Sequence, residues 1–391
     1  MIRLLLAITV LKLALAAVPG GTADIVQQQQ QAERSLAGRD LLDPHASNPA
    51  SFLLGHYALA VAALATARAT DTPFHFWIRV PAILADLALA FLLLVTPGAG
   101  RRAAALYMLS PVSLLLAVYH GQVHTVATAL AFVALWLALR DQGLVAGIVL
   151  GLATSVRQHF AVLAVPLARS FGARVLPAML ALVAVVLVVN VPLLTSPHLH
   201  RTAAPPAGFG TWGYTLLLVN GPRVLALAGV PHVSGLIGPL ISTLPTVSIV
   251  LYFGWAVVYS LRVWWRRDHD VWRAALLLLT GFYAITPGWG VQWLIWALPF
   301  WVVVSARGAM IYSALAGAFL AATYWVWRFN AKYGVQSITA NLAVLSGTDL
   351  VVYIATGALG IATWIYCAIT AWRLWRVCPE PIAESPGAKA R

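Results

Sequence analysis

Apolar runs separated by short polar joints make up most of this chain. The runs lie at 3–19, 74–95, 102–119, 123–139, 143–156, 160–170, 175–194, 236–262, 272–286, 290–305, 308–327 and 349–372. A helix needs roughly 20 apolar residues to cross the hydrocarbon of a bilayer, and fewer where a pair of helices is short. The pattern therefore predicts an all-α polytopic membrane protein with about twelve transmembrane helices.

The fifth and sixth runs are short, because Arg157, Gln158 and His159 interrupt what would otherwise be one long apolar stretch. A charged side chain at the middle of the bilayer costs about 3 kcal/mol on insertion scales. We therefore predict that the two runs form a helical hairpin with Arg157 at its tip.

Basic residues concentrate at every second joint. If the N-terminus is inside, the inner joints carry Arg101, Arg102, Arg140, Arg169, Arg174, Arg262, Arg273, Arg307, Arg373 and Arg376. Short basic loops of membrane proteins face the cytoplasm. The distribution therefore predicts a multi-pass protein of the plasma (inner) membrane with both termini cytoplasmic.

The outer joints are polar in a different way. They comprise 20–73, 120–124, the Arg157 tip, 195–235, 287–292 and 328–348, and nine of the ten histidines lie in them or at a helix end on that side. Packing alone does not account for that concentration. We expect an outward-facing polar surface where several helices end.

The amino-acid composition indicates a membrane protein and argues against a soluble globular one. Hydrophobic residues make up 61% of the 391 residues and charged residues 9%, whereas a soluble globular chain has about 25% charged residues. The net charge of +13 is explained by basic loops, so it does not indicate nucleic-acid binding. Cys367 and Cys378 form no metal or disulfide pattern.

The long first outer loop, 20–73, comes after a run that we interpret as an uncleaved span, with a secretory signal as the alternative. Either interpretation places this loop on the outer side of the membrane. Within the loop we predict a helix from Asp24 to Leu36 and an apolar segment from Phe52 to Ala67, separated by Pro44 and Pro49. A loop of this length is usually functional.

Two acidic residues are candidates for distinct roles. Asp24 comes directly after the first span and is either a helix N-terminal acid favoured by the dipole or a general base just outside the bilayer. Asp86 lies seven residues after Arg79, two helical turns away on the same face. A buried carboxylate in a membrane helix needs a partner, so we expect a structural role for Asp86. Arg79 either contributes to that pairing or meets an anionic headgroup.

The joint V-Y-H-G-Q-V-H carries His120, Gln122 and His124. Two histidines four residues apart on one helix can hold zinc, but Gly121 interrupts the helix and no glutamate accompanies the pair. We expect contacts with a polar substrate, and interfacial packing is the alternative.

The last candidate site residues lie at the hairpin tip, 157–159, and in a tryptophan-rich turn near residue 290. The guanidinium of Arg157 matches phosphate geometry with paired donors, although it could instead bond helix-end carbonyls. Gln158 and His159 adjoin it. Trp289 and Gln292, in P-G-W-G-V-Q-W, suit a sugar ring, but tryptophan favours the membrane interface in any case.

The order of these features resembles the GT-C superfamily of polytopic glycosyltransferases, which use polyprenyl-phosphate-linked sugars. The nearest likeness is to the mannosyl- and glucosyltransferase branches of lipid-linked glycan and GPI-type assembly, over most of 1–170 and more thinly over 280–300. The matching residues are Asp24, Ala32, Gly38, Asp43, Pro44, Asn48, Pro49, Arg79, Pro81, Asp86, Leu87, Ser110, Pro111, Gly121, Gln122, Arg157, Gln158, Pro166, Gln292, Trp293, Trp296 and Pro299. His124 departs from the family, which often has an acid there, and the late His-Glu pair of some branches is absent.

The resemblance implies a catalytic-type transmembrane module, 1–195, and a variable module, 196–391. It implies that Asp24 is the catalytic base and that basic residues at the outer helix ends hold the donor phosphate. Our candidates for the phosphate are Arg157, Arg79 and Arg328, and those for the sugar or acceptor are His120, Gln122, His124, Gln158, His159, Trp289 and Gln292.

The expected function is inverting transfer of a hexose, mannose first, from a polyprenyl-phosphate donor to a lipid or glycan acceptor on the extracytoplasmic side. The expected partners are that donor, that acceptor and membrane lipids. We expect no cofactor, since arginines can supply the positive charge that a metal would bring. The alternatives are a transporter or flippase of a lipid-linked anion and a non-catalytic GT-C-like relative.

Overall fold

The computed structural model describes residues 1–43, 53–172, 175–194, 196–197, 213–227, 229, 237–265, 270–287, 290–333, 344–345 and 347–376. Within these ranges the chain consists of helices and the turns that join them and has no strand, in agreement with the predicted all-α class. Candidates outside them include Trp289, Pro44, Asn48, Pro49, Arg174, Cys378 and the histidines His45, His198, His200 and His232.

The helices of the described residues are numbered here in chain order. They are α1 (Ile2–Ala16), α2 (Ala23–Leu36), α3 (Leu54–Thr70), α4 (Phe74–Trp77), α5 (Val80–Val95), α6 (Gly100–Met108), α7 (Pro111–Leu114), α8 (His124–Ala138), α9 (Gly143–Val156), α10 (Ala164–Phe171), α11 (Val175–Leu194), α12 (Tyr214–Leu227), α13 (Ile237–Trp265), α14 (Val271–Ile285), α15 (Leu294–Val304), α16 (Ala306–Tyr333) and α17 (Gly347–Arg376). A π-helical turn, Leu115–His120, comes after α7, and 3-10 turns precede α10 (Gln158–Leu163) and α15 (Val291–Trp293).

Five helical segments of the described residues are long and apolar enough to cross a bilayer, namely Phe74–Val95, Val175–Leu193, Ser242–Trp265, Ala306–Phe329 and Gly347–Arg376. The pair Gly100–Met108 and Pro111–His120, bent by 48°, would make a sixth. Four further apolar helices have 10–17 residues. These helices support a multi-pass membrane protein. The predicted count of twelve spans is not confirmed, because the other predicted runs form helices below that length.

The chain reverses at Arg157. Helix α9 ends at Val156, and a 3-10 turn then leads into α10. A Cβ placed on Gly143, where α9 begins, would lie 3.3 Å from the ring of Phe171, where α10 ends. The start of one helix therefore lies beside the end of the other, which is the geometry of the predicted hairpin.

A buried ion pair joins α1 to α5. Nζ of Lys12 lies 2.6 Å from Oδ2 of Asp86, and both side chains are fully buried. The hydroxyls of Ser113 and Tyr107 donate to the same carboxylate, at 2.9 Å and 2.6 Å. Asp86 therefore has partners, as its burial requires, but its cation is Lys12 and not Arg79. The expected pairing along one helix is wrong because a cation from a different helix occupies that place.

Arg79 has another set of partners. It precedes α5, is buried, and donates to the carbonyl oxygens of Ala16 (2.7 Å), Val18 (3.2 Å) and Gly20. The carbonyl of Ala16 is at the end of α1, where helix groups lack intrahelical partners, and those of Val18 and Gly20 belong to the turn that comes after it. The guanidinium thus closes α1 and shapes the turn into α2. This corrects the expectation that Arg79 faces an anionic headgroup.

Candidate functional site

Asp24 lies in the first turn of α2. The turn before it contains Gly20 and Gly21, with φ of 122° and 131°, a region that glycine adopts and other residues avoid. A Cβ on Gly21 would lie 2.7 Å from Nη2 of Arg79 and 2.9 Å from the carbonyl oxygen of Tyr119. Only a glycine therefore lets the chain pass close enough to bring Asp24 against the joint at 120–124.

That joint is a break between two helical elements. The π-helical turn ends at His120, Gly121 takes φ +67°, and α8 begins at His124. The two histidines thus lie on separate elements, so the one-helix zinc geometry does not arise. Among the described residues, no group of three or more His, Cys, Asp or Glu side chains could hold a metal ion.

Two polar contacts tie α2 to this joint. The Thr22 hydroxyl donates to the carbonyl oxygen of His120 at 3.2 Å, and the Gln28 amide donates to that of Gly121 at 3.1 Å. Both Thr22 and Gln28 are buried. The joint therefore keeps its backbone acceptors satisfied while its side chains stay available to Asp24.

The protein contacts the carboxylate of Asp24 at one of its two oxygens, Oδ2. Nε2 of His120 lies 2.9 Å from Oδ2, and the Gln122 amide donates to the same atom. Oδ1 receives no hydrogen bond from any described residue, and the side chain is 29% exposed. One oxygen is thus fixed by the protein while the other is accessible.

His120 contacts Asp24 with one ring nitrogen and Tyr324 with the other. The hydroxyl of Tyr324 lies 3.0 Å from Nδ1 of His120, and both side chains are buried. When the ring proton lies on Nε2, the nitrogen that faces the carboxylate, the tyrosine hydroxyl can donate to Nδ1. Tyr324 was not predicted, because it lies on α16, 204 residues away in sequence, and no local pattern distinguishes it from other interfacial aromatics.

Arg157 lies behind Gln122. Its guanidinium is fully buried, and Nη2 donates to Oε1 of Gln122 at 3.1 Å and lies 2.7 Å from Nε2 of His124. The structure therefore brings Asp24, Gln122 and Arg157 into one connected group. However, Arg157 supports the group from inside, whereas the sequence suggested a cation at the surface.

His124 lies between two donors. The indole of Trp296 donates to Nδ1 at 3.0 Å, and Arg157 adjoins Nε2. Because both nitrogens face donors and the positive charge of Arg157 lies beside the ring, these surroundings disfavour the charged imidazolium form of His124. Trp296 belongs to the residues that carry the GT-C resemblance, but it is not among the predicted site residues.

His159 is enclosed by aromatic rings. Those of Tyr252, Phe282, Trp293 and Trp296 lie with their centroids 5.1–5.7 Å from it, and its two nitrogens have no hydrogen-bond partner among the described residues. Because Trp296 also contacts His124, this aromatic group adjoins the Asp24 cluster.

The remaining described candidates are Gln158, Gln292 and Arg328. Gln158 and Gln292 are half-buried, and Arg328 is exposed on α16 beside the ring of Trp325, at 5.8 Å from its centroid. Within the described part of the chain, Gln292 and Arg328 make no hydrogen bond with the five residues Asp24, His120, Gln122, His124 and Arg157. Arg328 is one helical turn from Tyr324, so it is an exposed cation close to the tyrosine that reaches His120.

Opposing effects set the ionisation of Asp24. Burial raises the pKa of its carboxyl, but the hydrogen bond and charge of His120, the Gln122 amide and the charge of Arg157 together lower that pKa below its ordinary value. Asp24 is therefore ionised at neutral pH. The cluster thus contains a partly exposed carboxylate, with the positive charge of Arg157 and hydrogen-bond donors on its buried side.

Comparison of the chain with protein-family models, with curated protein sequences and with solved structures finds no match in any of the three. The role of the cluster must therefore be argued from its own geometry and chemistry.

Proposed function

We propose that this protein is a membrane glycosyltransferase that moves a hexose from a polyprenyl-phosphate donor to a lipid or glycan acceptor. One observation carries the proposal: the ionised carboxylate of Asp24 is held at Oδ2 by His120 and Gln122 and is accessible at Oδ1. A general base needs this combination of fixed orientation and a free lone pair. The order of residues that resembles the GT-C superfamily supports the same reaction.

In the proposed reaction, Oδ1 of Asp24 takes the proton of the acceptor hydroxyl as that oxygen attacks the anomeric carbon. The new carbon–oxygen bond forms while the bond from that carbon to the phosphate oxygen breaks, and the electron pair leaves with the polyprenyl phosphate. A single displacement inverts the anomeric centre and uses one carboxylate, in contrast to the two of glycoside hydrolysis. The lowered pKa means that proton transfer is late, when the attacking hydroxyl has become acidic.

Positive charge must stabilise the leaving phosphate. Arg157 is buried beneath Gln122, so it acts in the proposal as a fixed charge below the site that also orients the glutamine. Arg328 is exposed and is our candidate for direct contact with phosphate oxygens. Trp289 and Gln292 remain proposed sugar contacts, and His159 a proposed acceptor contact.

Transport of a lipid-linked anion is the alternative. It would use ionisable groups within the membrane, of which Lys12 and Asp86 are the prominent pair. Both are fully buried and bonded to each other. Such a satisfied pair favours a structural role, so it supports the enzyme over the transporter.

The proposal is tested with Asp24→Asn in the purified chain, reconstituted in liposomes with radiolabelled polyprenyl-phosphate mannose or glucose and a membrane-lipid extract as acceptor. Loss of the base should lower the transfer rate by about 10²-fold or more, while the variant still folds and inserts into the liposomes. Glu33→Gln, an exposed carboxyl on the same helix, is the matched control and should keep full activity. Unchanged transfer by Asp24→Asn would remove Asp24 from the mechanism.

A further inference from the structure

A second feature of the molecule is an apolar groove between α13, α14 and α17. It has a volume of about 560 Å³ and is lined by apolar side chains and glycines, among them Val258, Ala284, Ile285, Trp255, Trp372 and Trp375. Helices α13 and α17 contain candidate membrane spans. The groove therefore lies at hydrocarbon depth, where its surface suits an alkyl chain.

Two guanidinium groups lie at one end of this groove. Arg376 packs over the ring of Trp372, with 4.0 Å between its central carbon and the ring centroid, and Arg262 over that of Trp375, at 4.7 Å. Arg262 also donates to the carbonyl oxygens of Leu374 and Trp375, which fixes the end of α17 against α13. Cations thus flank the tryptophans that line the groove.

This end of the groove lies opposite the Asp24 cluster. Tyr259, three residues before Arg262, bonds to Ala274 near the start of α14. Phe282, near the end of α14, packs instead against Trp296, which donates to His124 of the cluster. Because α14 runs from one end of the bundle to the other, the two arginines and the cluster belong to opposite leaflets of the membrane.

We infer that the groove binds an anionic phospholipid from the leaflet opposite the Asp24 cluster. One acyl chain lies along the groove, and the headgroup phosphate sits between Arg376 and Arg262. Guanidinium groups pair with phosphate through parallel hydrogen bonds, and basic pockets between membrane helices select anionic headgroups. Among the described residues, no carboxylate forms an ion pair with Arg376, so no described acidic group competes with a headgroup phosphate for this guanidinium. This site does not depend on the function proposed for Asp24.

The test is lipid retention by the full chain in detergent, measured by native mass spectrometry with phosphatidylglycerol and phosphatidylcholine of identical acyl chains. The wild type should retain phosphatidylglycerol in preference. Arg376→Gln should lower that retention about fivefold, with little effect on phosphatidylcholine. Arg373→Gln is the matched control, since Arg373 is exposed on the same helix but makes no cation–π contact with Trp372 or Trp375 among the described residues, and it should change the retention of neither lipid.

A second variant tests the acyl-chain position. A Cβ on Gly254 meets nothing within 4 Å, so Gly254→Leu can project into the groove without displacing the fold. It should reduce retention of both lipids, with unchanged helicity by circular dichroism. Equal retention of the two lipids by the wild type would overturn the proposal, as would equal losses in Arg376→Gln and Arg373→Gln or full retention in Gly254→Leu.

Discussion

At the scale of single residues, the two oxygens of Asp24 have different environments. Nε2 of His120 lies 2.9 Å from Oδ2 and the Gln122 amide donates to Oδ2, while Oδ1 is accessible. The sequence indicated Asp24, His120 and Gln122 as candidates because each lies directly before or after an apolar run. It could not indicate that two of them would share one carboxylate oxygen, since that depends on how α2 packs against the 120–124 joint.

Tyr324→Phe tests the contact between Tyr324 and His120, the histidine that lies against Asp24. Without the hydroxyl, Nδ1 of His120 loses its donor, and the imidazole is less firmly oriented towards Asp24. We expect about a fivefold fall in the transfer rate, the magnitude of one neutral hydrogen bond. Tyr119→Phe is the control, because Tyr119 packs against the Tyr324 ring without bonding His120. Similar rates for both variants would contradict the assignment.

Because the pKa of Asp24 is lowered in the folded protein, the stability of the fold should depend on pH. A carboxyl whose pKa is lower in the folded than in the unfolded protein stabilises the fold above its unfolded value, about 3.9, and that contribution is lost as the pH falls through the folded value. The difference in Tm between the wild type and Asp24→Asn should therefore be constant from pH 8 to about pH 5 and shrink below about pH 4. A difference that disappears between pH 5 and 7 would show that Asp24 is not the group responsible.

At the scale of elements, the turn between α1 and α2 sets the position of Asp24. Arg79 closes the end of α1, and Gly21 passes close to both Arg79 and Tyr119. The sequence predicted the helix from Asp24 to Leu36 correctly, because its amphipathic pattern and its N-terminal acid are local signals. The role of Arg79 was wrong, because carbonyl groups at the end of another helix are invisible in a hydrophobicity pattern.

A comparison of two neighbouring glycines tests this turn. Gly20→Ala and Gly21→Ala both impose a side chain on a positive φ, at a cost of about 1 kcal/mol or more. Only at Gly21 does the new Cβ also meet Arg79 and Tyr119, whereas nothing lies within 4 Å of it at Gly20. Gly21→Ala should therefore lower Tm and transfer activity clearly more than Gly20→Ala. Equal effects would mean that backbone conformation alone matters.

At the scale of the whole molecule, the helix ends divide into two sets. His124, Arg157 and the start of α2 meet at one end of the bundle, while Met1 and Arg101 line a common pocket at the other. This division agrees with the alternation of polar and basic joints along the sequence. The hairpin at Arg157 contributes to it by returning the chain to the basic end before α11.

The Lys12–Asp86 pair connects this architecture across α1 and α5. Lys12→Met removes the cation and leaves a buried carboxylate, which should destabilise the fold by about 3–5 kcal/mol. Adding Asp86→Leu removes that carboxylate as well and should recover most of the loss. Thermal unfolding in detergent measures both. A double variant no more stable than Lys12→Met would show that the pair does not act as a unit.

The sequence by itself determined the features that depend on local chemistry: the membrane class from its apolar runs, the all-α fold, the break at Arg157, the turn at Gly121 and the identity of most polar groups at the helix ends. Each of these depends on residues within about one or two helical turns of each other. Only the tertiary structure decided that Lys12 neutralises Asp86, that Tyr324 and Trp296 orient the two histidines, and that Arg157 lies buried beneath Gln122. These contacts join residues 35 to 204 positions apart, and which of many similar side chains meet depends on how the helices pack.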